Sequence, residues 1–338
     1  MYRKAFKALL GAVTRKLLAS VDFWKFQEVV DSRLAAIESR LAAIESRLTS
    51  TELRIDSRLD KSEDRLNLNE NRLNLIENPL NIHRGVLETF YNPLNSDHKV
   101  VEFVDEVKKI LTLAGGIEAK LARFGDNGDG GYVIVDDLRK SDILFSIGVG
   151  ENVSFDQKCE TQLSRVILVD HTVPSFTPPA GNFEIIRKPL VPSVIAEQGI
   201  TIKKLLSSYP IAEDYILKID IEGDEWKILN ELESTDLLKF RQIVVEFHEL
   251  NEFVNFENKL SVLNKLTHTH VPIVVHANNQ GTHRFINGIF LPDVLEVTWV
   301  RSNSYTFHSE KNTEIYDLLS PNSQDLPNIW VDWIDGKL

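Results

Sequence analysis

Cysteine is nearly absent: Cys159 stands alone among 338 residues. That excludes an intramolecular disulfide and a cysteine-built zinc cage, and it fits a reducing compartment. Basic residues are outnumbered, 38 Lys and Arg against 50 Asp and Glu, for a net charge of −12. A chain of that sign repels the nucleic-acid backbone, so no nucleic-acid partner is expected. No apolar run reaches the roughly 18 to 20 residues that a bilayer-spanning helix needs. The first 20 residues, "MYRKAFKALLGAVTRKLLAS", carry five bases and no acid. Arg15 and Lys16 break their apolar stretch and no convincing cleavage site follows, which disfavours a signal peptide.

Over residues 1–31, Tyr2, Phe6, Leu9, Leu10, Val13, Leu17, Val21 and Trp24 recur at helical spacing. Two readings stay open. The segment is either an interfacial helix on an anionic membrane face, or a helix that packs on a partner or leads into the next segment. The first places the protein in the cytoplasm, peripheral on the inner face of the membrane.

Residues 32–78 repeat. "RLAAIE" occurs at 33–38 and again at 40–45, and the looser Arg-Leu-x-x-x-Glu recurs from Arg47, Arg58, Arg65 and Arg72. Starts seven residues apart mark a coiled coil, and the single step of eleven is a stutter that locally unwinds it. Leu34, Leu41 and Leu48 take heptad position a, with Ile37 and Ile44 at d. That choice disfavours dimers, and Arg at g with Glu at e resembles the trimerisation motif of parallel coiled coils. The expectation is a homotrimer on a parallel rod on the order of 70 Å long, at about 1.5 Å per residue. Pro79 ends the rod. Residues 79–98 read as a linker and 99–338 as one α/β domain.

In that domain "EFVDEVKKILTLAG" reads as an amphipathic helix ending at Gly115–Gly116. "GDNGDGGYVIVDD" reads as a glycine-rich turn entering a short strand. Seven apolar runs follow: Ile143 to Ile147, "SRVILVD", "FEIIRKPL", "YILKIDIEG", "RQIVVEFHE", "PIVVHANN" and the alternating "LEVTWVR". Runs separated by helical stretches imply parallel βαβ units, whose ligands lie beyond the C-terminal strand ends. Gly148, Gly150, Asp170, Asp220, Glu222, Glu246, His248, Asn278 and Asn279 all converge on that edge. Gly148-Val149-Gly150 would let backbone approach a nucleotide. Val153 stands where a dinucleotide fingerprint needs its third glycine. Asp170, 20 residues past Gly150, has the spacing of a ribose-binding carboxylate in either an NAD or an S-adenosylmethionine site. Asp224 and Glu225 are expected in the first turn of a helix, complementing its dipole with small effects.

"YILKIDIEGDEWKIL" resembles the Lys-x-Asp-h-Glu-Gly-x-Glu signature of FkbM-type S-adenosylmethionine-dependent methyltransferases. "DGGYVIV", "LFSIGVGENVSFD", "VVEFHEL" and "PDVLEVTWVR" follow the family's order, so the resemblance covers about residues 120–301. It implies a Rossmann-like, seven-stranded α/β methyltransferase fold with the last strand antiparallel, preceded here by the coiled coil. One departure matters: Ser146 stands where the family's first loop often has an acid. A carboxylate contact to the methionine amino group is lost there, and Glu151 or Asp129 are the candidates to replace it.

The resemblance implies S-adenosylmethionine as cofactor, with Ser146, Gly148, Gly150, Glu151, Asp170, His171 and Asp220 as candidate contacts. It also implies a saccharide or other hydroxylated acceptor. The expected reaction is O-methylation, in which the enzyme aligns oxygen with the methyl group and removes the hydroxyl proton. Asp220, Glu222 and His248 are the catalytic candidates, with His248 favoured as general base because it titrates nearest neutrality. The same three side chains also suit a divalent metal. A basic N-terminus and a trimeric rod point by analogy to surface-polysaccharide synthesis. An NAD-dependent oxidoreductase and a non-catalytic trimeric scaffold are the competing readings.

Overall fold

The computed structural model describes residues 94, 97–113, 115–172, 181–210, 213–326, 328–331 and 333–334. All of them belong to the compact unit Glu77–Leu338. The basic helix expected over 1–31, the coiled coil over 32–78 and most of the 79–98 linker lie outside the described residues.

The chain opens with helix α1 (His98–Leu111), then strands β1 (Gly116–Ile117), β2 (Leu121–Phe124), β3 (Tyr132–Val135) and β4 (Ile143–Ile147). Helix α2 (Ser154–Glu160) leads to β5 (Arg165–Val169) and β6 (Phe183–Ile186), and α3 (Ile202–Ser208) to β7 (Tyr215–Ile219). Next come α4 (Glu225–Glu231), α5 (Ser234–Leu237), β8 (Phe240–Phe247), α6 (Phe256–Thr267) and β9 (His270–Ala277). A hairpin, β10 (His283–Ile286) and β11 (Ile289–Pro292), precedes β12 (Leu295–Arg301), β13 (Phe307–His308) and α7 (Ile315–Leu318).

The seven central strands run in the order β6-β5-β4-β7-β8-β12-β9. Strand β12 is antiparallel to both its neighbours, while β4 pairs parallel with β5 and β7, β5 with β6, and β7 with β8. The seven strands are the seven apolar runs of the sequence. Mixed order with one inverted strand is the arrangement of a Rossmann-like methyltransferase.

Burial explains why the runs are continuous rather than alternating: β4, β7 and β8 are covered on both faces. One face, including Phe145, Leu217, Ile219, Ile243, Val245 and Phe247, joins the larger core with α1, α4 and α6. The other, including Leu144, Ile216 and Val244, packs with Phe155 and Cys159 of α2 and with Tyr132 and Ile134 of β3. The β2–β3 hairpin is pinned there by side chains of the sheet. Gln242 bonds both backbone groups of Val135, and the Thr298 hydroxyl donates to the Val133 carbonyl at 2.6 Å.

Helix α1 starts at His98, ahead of the expected Glu102, because Asp97 caps it by accepting from the Lys99 amide at 3.0 Å. It ends at Leu111, short of the expected Gly115–Gly116. Thr112 turns extended, its hydroxyl takes the Lys108 carbonyl, and Leu113 bonds the Ile334 carbonyl instead of continuing the helix.

Candidate active site

The glycine loop leaves the C-terminal end of β4. Gly148 has φ 68° and Gly150 φ 59°, both left-handed. A Cβ on Gly148 would lie 1.6 Å from the Asp220 carbonyl oxygen, so only glycine lets the two strand ends approach. A Cβ on Gly150 would meet nothing within 4 Å; there the backbone conformation, not space, requires glycine.

Asp170, at the end of β5, fastens this loop. Its Oδ2 accepts from the amides of Val149 and Gly150, each at 2.9 Å. Its Oδ1 accepts from the Thr172 amide at 2.6 Å and hydroxyl at 2.7 Å. Burial works against its ionisation, but those donors outweigh burial and hold the carboxyl below its usual range.

Beyond β7 and β8 the polar residues gather under Tyr132. Lys218 is buried; its ammonium donates to the Gly148 carbonyl at 2.6 Å and to Asp220 Oδ2 at 3.2 Å, and lies 5.5 Å from the Tyr132 ring centre. The Tyr132 hydroxyl lies 3.1 Å from Asp220 Oδ2 and 3.2 Å from Glu246 Oε2. Asn278 donates to Glu246 Oε1 at 2.7 Å. Glu246 faces Glu296 across β8 and β12, and Glu296 faces His276 across β12 and β9. The row is closed by His276 Nδ1 on Glu296 at 3.0 Å and by Asn322 on its other oxygen at 2.6 Å.

His248 completes the cluster. Its Nε2 lies 3.6 Å from Glu222 Oε2, 3.9 Å from Asp220 Oδ1 and 4.0 Å from Glu246 Oε1. Its Nδ1 lies 3.4 Å from Glu225 Oε1. Glu225 is fully buried, and its two oxygens accept from the amides of His248 (2.6 Å) and Gly223 (2.9 Å). Glu222 is the exposed member, and both Glu222 and Glu249 adopt left-handed backbone at φ 57° and 58°. Such strained conformations persist where the surroundings enforce them and collect at functional sites.

Electrostatics follow from this crowding. Burial, then the neighbouring charges of Asp220 and Glu296, push Glu246 well above the usual carboxylate range. Burial disfavours a charged His248, but Glu225, Glu246 and Asp220 overcome it and raise the imidazole. These neighbours favour the charged ring over the neutral one. Under α2, burial pushes Asp156 up to about 6, opposed by the Ser146 hydroxyl and the Lys218 charge.

A family model for the methyltransferase FkbM domain matches residues 61–279, more than half of the chain. The chain belongs to the FkbM methyltransferase family. No curated protein matches it. Among solved structures, 26 chains match. One is the precorrin 8w decarboxylase of Methanobacterium thermoautotrophicum, at 12% identity over 48% of this chain and 83% of that one. Its TM-score of 0.25 is too low to carry an argument.

As an FkbM methyltransferase domain, the chain brings Gly148, Gly150, Asp170, Asp220, Glu222 and His248 to one edge of the sheet. Glu151 and His171 are exposed on the loops after β4 and β5. Ser146 is not at that surface: it is fully buried and faces Asp156 in the layer beneath the sheet, because an even position of β4 points toward α2. Asp224 begins α4 as expected and pairs with Lys227 at 2.6 Å. Glu225 does not behave as a solvated helix-start acid, since its carboxylate is committed to His248. Neither Tyr132 nor Lys218 carries a role in the sequence reading. A buried lysine inside an apolar strand was the one available signal.

Proposed function

We propose that the chain is an S-adenosylmethionine-dependent O-methyltransferase for a hydroxyl of a saccharide-like acceptor. The observation that carries this reading is the juxtaposition of two features at one sheet edge. A glycine loop fastened by Asp170 leaves β4, and an acid cluster with one exposed carboxylate follows the adjacent β7.

The residues fit a nucleoside cofactor: the Gly150 backbone faces open space, and Asp170 is an ionised carboxylate with donors that a ribose diol can replace. The cofactor supplies an electrophilic methyl group on a sulfonium. The protein's part is to align the acceptor and take its proton. Glu222 is the carboxylate placed to receive that proton, with Asp220 orienting the hydroxyl and the protonated His248 offsetting the gathered negative charge. Carboxylates that accept hydrogen bonds suit a polyhydroxylated acceptor, which supports a role on surface polysaccharide.

Calorimetry with S-adenosylmethionine, its demethylated product and NAD in parallel tests the reading. Binding of the first two is expected, at least tenfold weaker in Asp170→Ala, since charge-assisted hydrogen bonds contribute about 1.5–3 kcal/mol each. Binding of NAD alone would overturn it.

From the Arg-Leu-x-x-x-Glu repeats we further propose a parallel homotrimer, and from the basic stripe of residues 1–31 an anionic membrane face as partner. Light scattering should give three chains in full-length protein and fewer after removal of residues 1–81. A full-length dimer contradicts the first. Vesicle sedimentation unaffected by deleting residues 1–30 contradicts the second.

A further inference from the structure

We infer that Asp220, Glu246 and His248 bind a divalent cation of the Mn²⁺ class, which holds the acceptor hydroxyl; this rests on the reading of the same edge as an acceptor site. One ligand atom from each residue lies within 4.8 Å of the others. His248 Nε2 is 3.9 Å from Asp220 Oδ1 and 4.0 Å from Glu246 Oε1. A cation at about 2.0–2.2 Å from each donor sets donors roughly 3–4 Å apart, so small side-chain movements close the site.

The surrounding shell is already built. Metal-binding histidines typically give their second nitrogen to a carboxylate, which fixes the ring and its tautomer. Here Glu225, locked by the backbone amides of His248 and Gly223, sits 3.4 Å from Nδ1. Nε2 lies on the side of the two acids. Asp220 has Oδ2 occupied by Lys218 and Tyr132, leaving Oδ1 on the side of His248. Glu246 is steadied by Asn278 and Tyr132. Two carboxylates with one imidazole mix the donors of Mg²⁺ and Mn²⁺ sites with the donor of softer metals, which favours Mn²⁺.

With the cation in place, the imidazole ligates through Nε2 and the cation supplies the positive charge beside the acids. A hydroxyl bound to it loses its proton more readily. That proton passes to Glu222, the acceptor oxygen forms its bond to the methyl carbon, and the carbon–sulfur electron pair stays with the sulfur of the demethylated cofactor.

The test uses full-length protein stripped with EDTA and titrated with MnCl₂ without cofactor, followed by electron paramagnetic resonance. One Mn²⁺ per chain is expected, with electron spin-echo modulation from an imidazole nitrogen that disappears in His248→Gln. Glu225→Gln should weaken Mn²⁺ about 10- to 100-fold while retaining that modulation, as a positioning residue does. No saturable Mn²⁺ binding, or binding without nitrogen modulation, would overturn the inference. If a variant fails to fold, the wild-type modulation decides alone. S-adenosylmethionine calorimetry on the same sample separates the two readings. Cofactor binding without Mn²⁺ removes the cation and leaves methyl transfer standing, whereas Mn²⁺ binding without the cofactor does the reverse.

Discussion

The two edges of the central sheet both bury charge, and they treat it in opposite ways. At the N-terminal edge Arg241, 1% exposed in β8, pairs with Asp137 and Asp142, lies 3.3 Å from Asp214 and donates to the Tyr305 hydroxyl at 3.1 Å. Asp214 is also held by Arg301 at 2.7 Å. Each acid there has a guanidinium within reach. At the C-terminal edge, Asp220, Glu222, Glu225 and Glu246 share Lys218 and His248, and Glu246 is driven toward its protonated form. A balanced cluster contributes to a definite fold. An unbalanced one retains affinity for a positive partner, whether a proton, a hydroxyl hydrogen or a cation.

Substitutions at each edge can break or sharpen that contrast. The largest effect belongs to the C-terminal edge and falls on rate. Glu222→Gln should cut turnover by about 10²- to 10⁴-fold, as loss of a general base does, with melting temperature and cofactor affinity retained. Near-normal turnover would remove the proton acceptor assigned here. Arg241→Met should do the reverse, costing about 3–5 kcal/mol of stability because Asp137 and Asp142 lose their guanidinium and Asp214 keeps only Arg301 close by. Urea unfolding measures this, and a loss under 1 kcal/mol would mean the N-terminal edge is no better balanced than the other.

His270 supplies a smaller and pH-dependent effect at the same balanced edge. It is buried at the start of β9, with Nε2 3.0 Å from the Phe240 carbonyl, and burial lowers it from 6.5 to about 4. A depressed imidazole contributes stability in full above the unfolded value of about 6.5. That contribution is lost as pH falls toward 4, and it amounts to about 3 kcal/mol. His270→Gln should therefore unfold less steeply than wild type between pH 6.5 and 4; equal slopes would refute the assignment. The smallest effect is at Asp224, exposed and paired only with Lys227. Asp224→Asn should leave turnover near wild type and shift stability by at most about 1 kcal/mol.

The strands were legible because burial on both faces leaves continuous apolar runs, and β12 showed its inverted setting through alternation. Glu296 and Thr298 face the hairpin while Leu295, Val297 and Trp299 face the larger core. The convergence of Asp220, Glu222, Glu246 and His248 was legible once parallel strands were assumed. The contacts that tune them were not. Tyr132 reaches Asp220 across 88 residues of chain, and Glu225 owes its role to a backbone amide 23 residues away. Helical periodicity reads Glu225 as a first-turn acid, and nothing local reveals that this position points inward. The end of α1 was missed for a related reason: Leu113 bonds a carbonyl at Ile334.

The place of β12 between β8 and β9 has a consequence for synthesis. A chain leaving the ribosome presents β9 before β12 exists, at a time when the outer edge of β8 is free. Both are strands of eight residues, running parallel in the finished sheet with β12 antiparallel between them. The acid row across β8, β12 and β9 favours the correct order. Only β12 brings Glu296 to lie between Glu246 and His276, and direct pairing of β9 with β8 would leave Asn322 and His276 without that carboxylate. The polar groups gathered at that edge thus also tie the three strands together in their native order.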